Sequence, residues 1–111
     1  MARQPTPLLQ GNLDLLVLRT LSWGPRHGYA VGSWIEEATD HVLRVEAGSL
    51  YPALYRLERQ GLIEAEWGLS ELGRPAKLYR LTAPGRRRLA ADTAAWRELN
   101  RAIGRVLEAR A

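Results

Sequence analysis

The stretch from Ala47 to Ile63, AGSLYPALYRLERQGLI, carries a helix signal at each end and two unlike faces. Ser49 is a capping residue type, which puts Pro52 at the third helical position, where a missing backbone N–H has no intrahelical acceptor to lose. Gln60-Gly61 supplies the stop: glycine adopts the left-handed conformation at C′, and Leu62 after it folds back on Leu57. Leu50, Leu54 and Leu57, at spacings of four and three, form a buried stripe, whereas Ser49, Tyr51, Tyr55, Arg56 and Arg59 lie off it. Tyrosine beside arginine suits phosphates and base edges in a nucleic-acid groove; an ordinary solvated face more often carries Glu and Lys. The rest of the chain must decide between those two readings.

With 111 residues, 46% of them hydrophobic, the chain has enough apolar surface for one modest core. Sixteen basic against twelve acidic residues give a net charge of +4, which favours a polyanionic partner. Fifteen of the sixteen basic residues are arginine. That bias fits bidentate contact with phosphate or guanine, and equally fits a compositional bias of the genome. No cysteine is present, which excludes disulfides, thiolate zinc sites and a cysteine nucleophile and fits a reducing cytoplasm. The apolar run Leu13 to Leu21 is broken by Asp14 and Arg19 and is too short to span a bilayer, and the N-terminus lacks a signal-peptide layout. The sequence therefore reads as a cytoplasmic protein with no membrane partner.

Outward from the central helix, residues 1–7 read as a loose arm whose Arg3 is within reach of DNA. Leu9 to Trp23 has helical spacing at Leu9, Leu13, Leu16, Val17 and Leu21 and is ended by Gly24-Pro25. After a turn at PRHG, a second helix from Tyr29 to Ala38 sets Val31, Trp34, Ile35 and Ala38 on one side, with Trp34 read as core. His27 and His41 are too far apart and unsupported for a metal site. Val42 to Val45 reads as a brief strand. LIEAEW and KLYRLT alternate as half-buried strands joined by nine residues, Gly68 to Ala76. Between Glu71 and Asp92 lie Arg74, Lys77, Arg80, Arg86, Arg87 and Arg88 with no acid among them.

This order defines a mainly α fold with a small β-hairpin (α+β). Residues 1–83 form a winged helix-turn-helix DNA-binding domain and residues 84–111 a long C-terminal dimerisation helix. The third helix would enter the major groove and the wing would reach the adjacent backbone or minor groove through Arg74 and Lys77. Thr82 can cap the last helix, with Pro84 in its first turn. Within it Leu89, Thr93, Trp96, Asn100, Ile103 and Leu107 repeat at four and three, a coiled-coil seam, and Leu89, Trp96, Leu99, Ile103, Val106 and Leu107 are the expected dimer contacts. Folding back on its own domain is the alternative.

The sequence resembles the PadR family of transcriptional regulators, of the short type with one C-terminal helix. LDLLVLRTL, HGYAV, GSLYPALYRLERQGLI and KLYRLTAPG carry the resemblance, which covers nearly the whole chain. It implies that Ser49, Tyr51 and Tyr55 meet DNA from the recognition helix, that Tyr29 lies close to a phosphate, and that the protein acts as a repressor; the two-fold homodimer expected from the last helix calls for a pseudo-palindromic operator. Multidrug-sensing members carry a tryptophan at the place of Trp96 and sandwich flat aromatic compounds between the pair. The resemblance thus implies a planar aromatic effector slot lined by Trp96, Leu8, Leu15 and Asn100, with Arg19 disfavouring cationic drugs. The competing role for Trp96 is filling the dimer core.

No nucleophile, base and orienting acid form a constellation, and no glycine loop cradles phosphate, so the chain reads as a non-enzyme without cofactors. The alternative to DNA binding is a winged-helix protein-interaction module.

Overall fold

Apolar spacing and turn chemistry divide the chain into short elements, and a computed structural model, which describes residues 6–7 and 10–110, fixes their bounds. They run β1 (Thr6–Pro7), α1 (Gln10–Leu21), β2 (Arg26–His27), α2 (Gly28–Ala38), β3 (Leu43–Arg44), α3 (Ala47–Arg59), β4 (Ile63–Leu69), β5 (Pro75–Leu81) and α4 (Ala83–Glu108). The core is the expected one: Leu50, Leu54 and Leu57 of α3, with Ala53, meet Leu13, Val17, Leu18 and Leu21 of α1, Val31 and Ile35 of α2, and Tyr79 and Leu81 of β5. Burying each such leucine is worth about 1.5–3 kcal/mol. Thr20, the buried polar residue of α1, donates its hydroxyl to the Leu16 carbonyl at 2.7 Å.

α3 starts two residues before Ser49. Its N-cap is Glu46, whose backbone carbonyl accepts from Ser49 and Leu50 at 3.0 and 2.9 Å without a side-chain cap. Pro52 is therefore the sixth helical residue rather than the third, well inside the helix. The C-terminus is as the sequence indicates: Gly61 has φ +74, its N–H donates to the Glu58 carbonyl, and Leu62 N–H donates to the Leu57 carbonyl at 3.0 Å.

The hairpin is longer and its loop shorter than expected, because β4 and β5 stay paired out to Leu69↔Pro75. Gly68 opposes Ala76 within the ladder, and Pro75 is tolerated as the first residue of its strand. β2, in the segment expected to be only a turn, pairs antiparallel with the other side of β5. The order is thus β2-β5-β4, a three-stranded sheet. The arm is not wholly loose either, since Thr6–Pro7 pairs in parallel with Leu43–Arg44. Leu9, expected in the first helix, and Arg3 and Leu8, expected at DNA and effector, lie outside the described residues. The Thr82 hydroxyl accepts from Gly85 N–H at 3.1 Å and caps α4 as expected. Among the described residues no helix is long and apolar enough to cross a membrane.

Candidate nucleic-acid interface

The polar face of α3 stands open. Tyr51 is 47% exposed and Tyr55 59%, with Ser49 and Arg59 exposed beside them. Arg59 donates Nη1 to the Tyr55 hydroxyl at 3.2 Å and holds its guanidinium 5.8 Å from the Tyr55 ring. Tyr51 is positioned by a missing side chain: a Cβ on Gly28, the first residue of α2, would lie 2.9 Å from Tyr51 Cε1 and 3.1 Å from Leu54 Cδ1. Glycine lets α2 approach α3 without displacing the Tyr51 ring, a signal the motif HGYAV contains but periodicity cannot show. Tyr29 is exposed and stacks on His27, centroids 6.0 Å apart. His27 in turn bonds through Nδ1 to the Lys77 carbonyl at 2.9 Å, tying α2 to the wing.

Arg56 stands apart from that face. Its Nη2 lies 2.6 Å from Asp14 Oδ1 of α1 and its Nε is buried, so the side chain crosses the flank of α3 toward the core instead of joining the tyrosines. Lys77 is also engaged, 3.4 Å from Glu58 and 5.7 Å from the Trp67 ring centroid. Of the six clustered basic residues, Arg80 pairs with Glu66 and Arg88 with Asp92, while Arg74, Arg86 and Arg87 make no ion pair among the described residues. The charge available to phosphates is smaller than the sequence count.

Between α3 and the wing lies a cleft of about 400 Å³ walled by Tyr29, Tyr51, Tyr55, Trp67, Lys77 and Tyr79. Trp67 was not among the expected site residues. Burial raises the Tyr79 phenol above its ordinary value, helped by the charges of Glu58 and Tyr51. A second groove, about 950 Å³, runs between α1 and α4 and is lined by Leu15, Leu89 and Trp96 together with Arg19, Arg86 and Arg97, with no carboxylate on its walls among the described residues. Asn100 does not line it: its amide donates to the Trp96 carbonyl at 2.9 Å, one turn back on its own helix. Leu89 is half-buried against the core, and Trp96, Leu99, Ile103, Val106 and Leu107 are exposed.

Residues 17–91 match the Transcriptional regulator PadR-like family, well over half of the chain, from within α1 through the wing to the first turns of α4. The chain belongs to this family. A curated relative, the transcriptional regulator Rv3488 of Mycobacterium tuberculosis, is 41% identical over 73 residues, 65% of this chain and 67% of that protein. Among solved structures, the PadR family transcriptional regulator of Eggerthella lenta superposes with a TM-score of 0.78 at 39% identity, covering 91% of this chain and 86% of that one. A transcriptional regulator from Clostridium thermocellum gives a TM-score of 0.80 at 27% identity, over 86% of this chain and 93% of that one. PadR-like proteins are transcriptional regulators that bind DNA, not enzymes.

Proposed function

We propose that this PadR-like chain is a sequence-specific repressor that works in the cytoplasm as a homodimer on a pseudo-palindromic operator. The observation that carries the reading is the open face of α3, where Tyr51 and Tyr55 stand exposed beside Arg59. Ser49, Tyr51, Tyr55 and Arg59 meet base edges and phosphates in the major groove, Tyr29 a flanking phosphate, and Arg74 the backbone beside the wing. Residues 1–83 bind DNA and residues 84–111 bring two copies together. Five large apolar side chains on α4, from Trp96 to Leu107, support that division, because a solvated helix gains nothing from them and a two-fold partner buries them.

Binding of selected and scrambled duplexes by fluorescence anisotropy tests the reading. Tyr51→Ala flattens the preference among sequences, whereas Arg74→Ala weakens all DNA equally and lowers the salt slope by about 0.9, the value for one phosphate no longer neutralised. Intact preference in Tyr51→Ala refutes the placement of the reading face. A protein-interaction module would show no preference even in the wild type. Sedimentation gives a dimer for the full chain and a monomer after removal of residues 95–111; a wild-type monomer at micromolar concentration refutes the assembly.

A second reading concerns release from DNA. The groove that Trp96 shares with Leu15 is ringed by Arg19, Arg86 and Arg97, which favours a planar aromatic effector that is neutral or anionic. Binding there shifts the angle between the two recognition helices. A variant keeping Trp96 but with Trp23, Trp34 and Trp67 changed to Phe reports the effector by quenching, with operator release followed in parallel. No response to a broad panel of flat aromatics leaves Trp96 as dimer core.

A further inference from the structure

We propose that the wing of this chain meets DNA by apolar contact: Leu72 at its apex lies against the floor and sugar walls of an A·T minor groove, with Leu69 and Trp67 behind it. The inference rests on the DNA-binding reading above and deepens it. Along β4 the side facing the core carries Ile63, Ala65, Trp67 and Leu69: Ile63 is buried, Ala65 half-buried, and Trp67 and Leu69 are both exposed. The inward face thus runs past the core and leaves Trp67 70% and Leu69 69% exposed.

The turn completes the arrangement. Ser70 N–H donates to the Arg74 carbonyl at 2.8 Å and Gly73 N–H to the Ser70 carbonyl at 2.9 Å, with Gly73 at φ +72. This is a three-residue connection, Glu71-Leu72-Gly73, with Leu72 at its corner. A corner that normally takes Asn, Asp, Gly or Ser here presents a leucine 82% exposed.

Charge does not explain this tip. From Trp67 to Ala76 the segment holds one acid and one base, Glu71 and Arg74, and Lys77 is occupied by Glu58. A separate protein partner is not favoured, because three side chains fall well short of the roughly 800 Å² per partner of a stable interface. Continuity favours DNA: the Trp67 ring walls the same cleft as Tyr51 and Tyr55, so a duplex seated on α3 brings its next groove to the wing. Deoxyribose carbons wall a minor groove, and its floor is unobstructed at A·T pairs, whereas guanine projects its N2 amino group there.

The test uses the full chain and a duplex it selects from a randomised pool, with wing-facing base pairs located by hydroxyl-radical protection. Those pairs are then changed from A·T to G·C, and to inosine·C, which lacks the N2 group. Wild type should lose about tenfold in affinity on G·C and recover on inosine·C. Leu72→Ala should lose about tenfold on A·T with an unchanged salt slope, and should no longer distinguish the three duplexes. Leu72 is exposed, so this variant retains the fold. Leu72→Ala within twofold of wild type on all three duplexes overturns the apolar wing, leaves recognition by α3 standing, and points to a protein as the occupant of the tip. Selection of G·C opposite the wing also overturns it. Failure of the wild type to select any duplex overturns the DNA reading itself, and the wing with it.

Discussion

Gly85, in the first turn of α4, is the contact on which the C-terminal helix is hung. A Cβ there would lie 2.0 Å from the Leu62 carbonyl oxygen and 2.7 Å from Leu81 Cδ1, against the 3.0 Å below which real Cβ atoms are not found. Gly85→Ala must therefore part α4 from the turn that follows α3 by about 1 Å. The same Leu62 oxygen accepts from Thr82 N–H at 3.2 Å, and the Thr82 hydroxyl donates to the Gly61 carbonyl at 2.7 Å while capping α4. Losing the backbone bond costs about 1 kcal/mol, weakening the cap about 1 kcal/mol and overpacking about 1–3 kcal/mol. Alanine's helix propensity returns about 1 kcal/mol. The net destabilisation is about 2–4 kcal/mol, a fall of more than about 1 M in the urea midpoint for a chain of this size. Urea unfolding followed by circular dichroism at a fixed protomer concentration measures it. An unchanged or raised midpoint refutes the close approach of α4 to Leu62.

Arg56→Ala removes the partner of the half-buried Asp14 carboxylate and should destabilise the fold by about 1–3 kcal/mol. Its sequence preference in a mobility shift should stay that of the wild type, and a changed preference would return Arg56 to the DNA face. Because the folded Tyr79 is raised above its ordinary 10.0, its stabilisation is complete below about pH 10 and is lost as the pH rises through the folded value. Tyr79→Phe should reduce that alkaline loss of stability, and an unaltered profile in thermal melts contradicts the assignment. Asp40 holds φ +49 at the end of α2, where glycine has no steric penalty, so Asp40→Gly should raise stability by about 0.4–1 kcal/mol. A lower melting temperature contradicts it.

α3 is legible in the sequence wherever local chemistry decides. The Leu50, Leu54 and Leu57 stripe follows helical period, and Gly61 ends the helix because its backbone must turn left-handed. Its start was misplaced because Ala47 and Gly48 carry no capping signal; the Glu46 carbonyl begins the helix with backbone alone. A helical wheel leaves Arg56 on the flank of α3, and only Asp14, 42 residues away in sequence, decides where its side chain turns. β2 escaped notice because two residues have no period. Gly68 and Pro75 are turn formers and make the wing look short in the sequence, yet the ladder tolerates both near its open end. Trp67 alternates correctly with Ile63 and Ala65, but alternation cannot say where the core stops.

The central claim is that this PadR-like chain reads a two-fold operator with the exposed face of α3. Genome-wide footprinting with the purified wild-type protein and with Tyr51→Ala tests it most directly. The account predicts a pseudo-palindrome for the wild type, with half-sites about 10 base pairs apart or a multiple of that, and loss of the motif in Tyr51→Ala. The same motif recovered from both proteins, or none from the wild type, contradicts it.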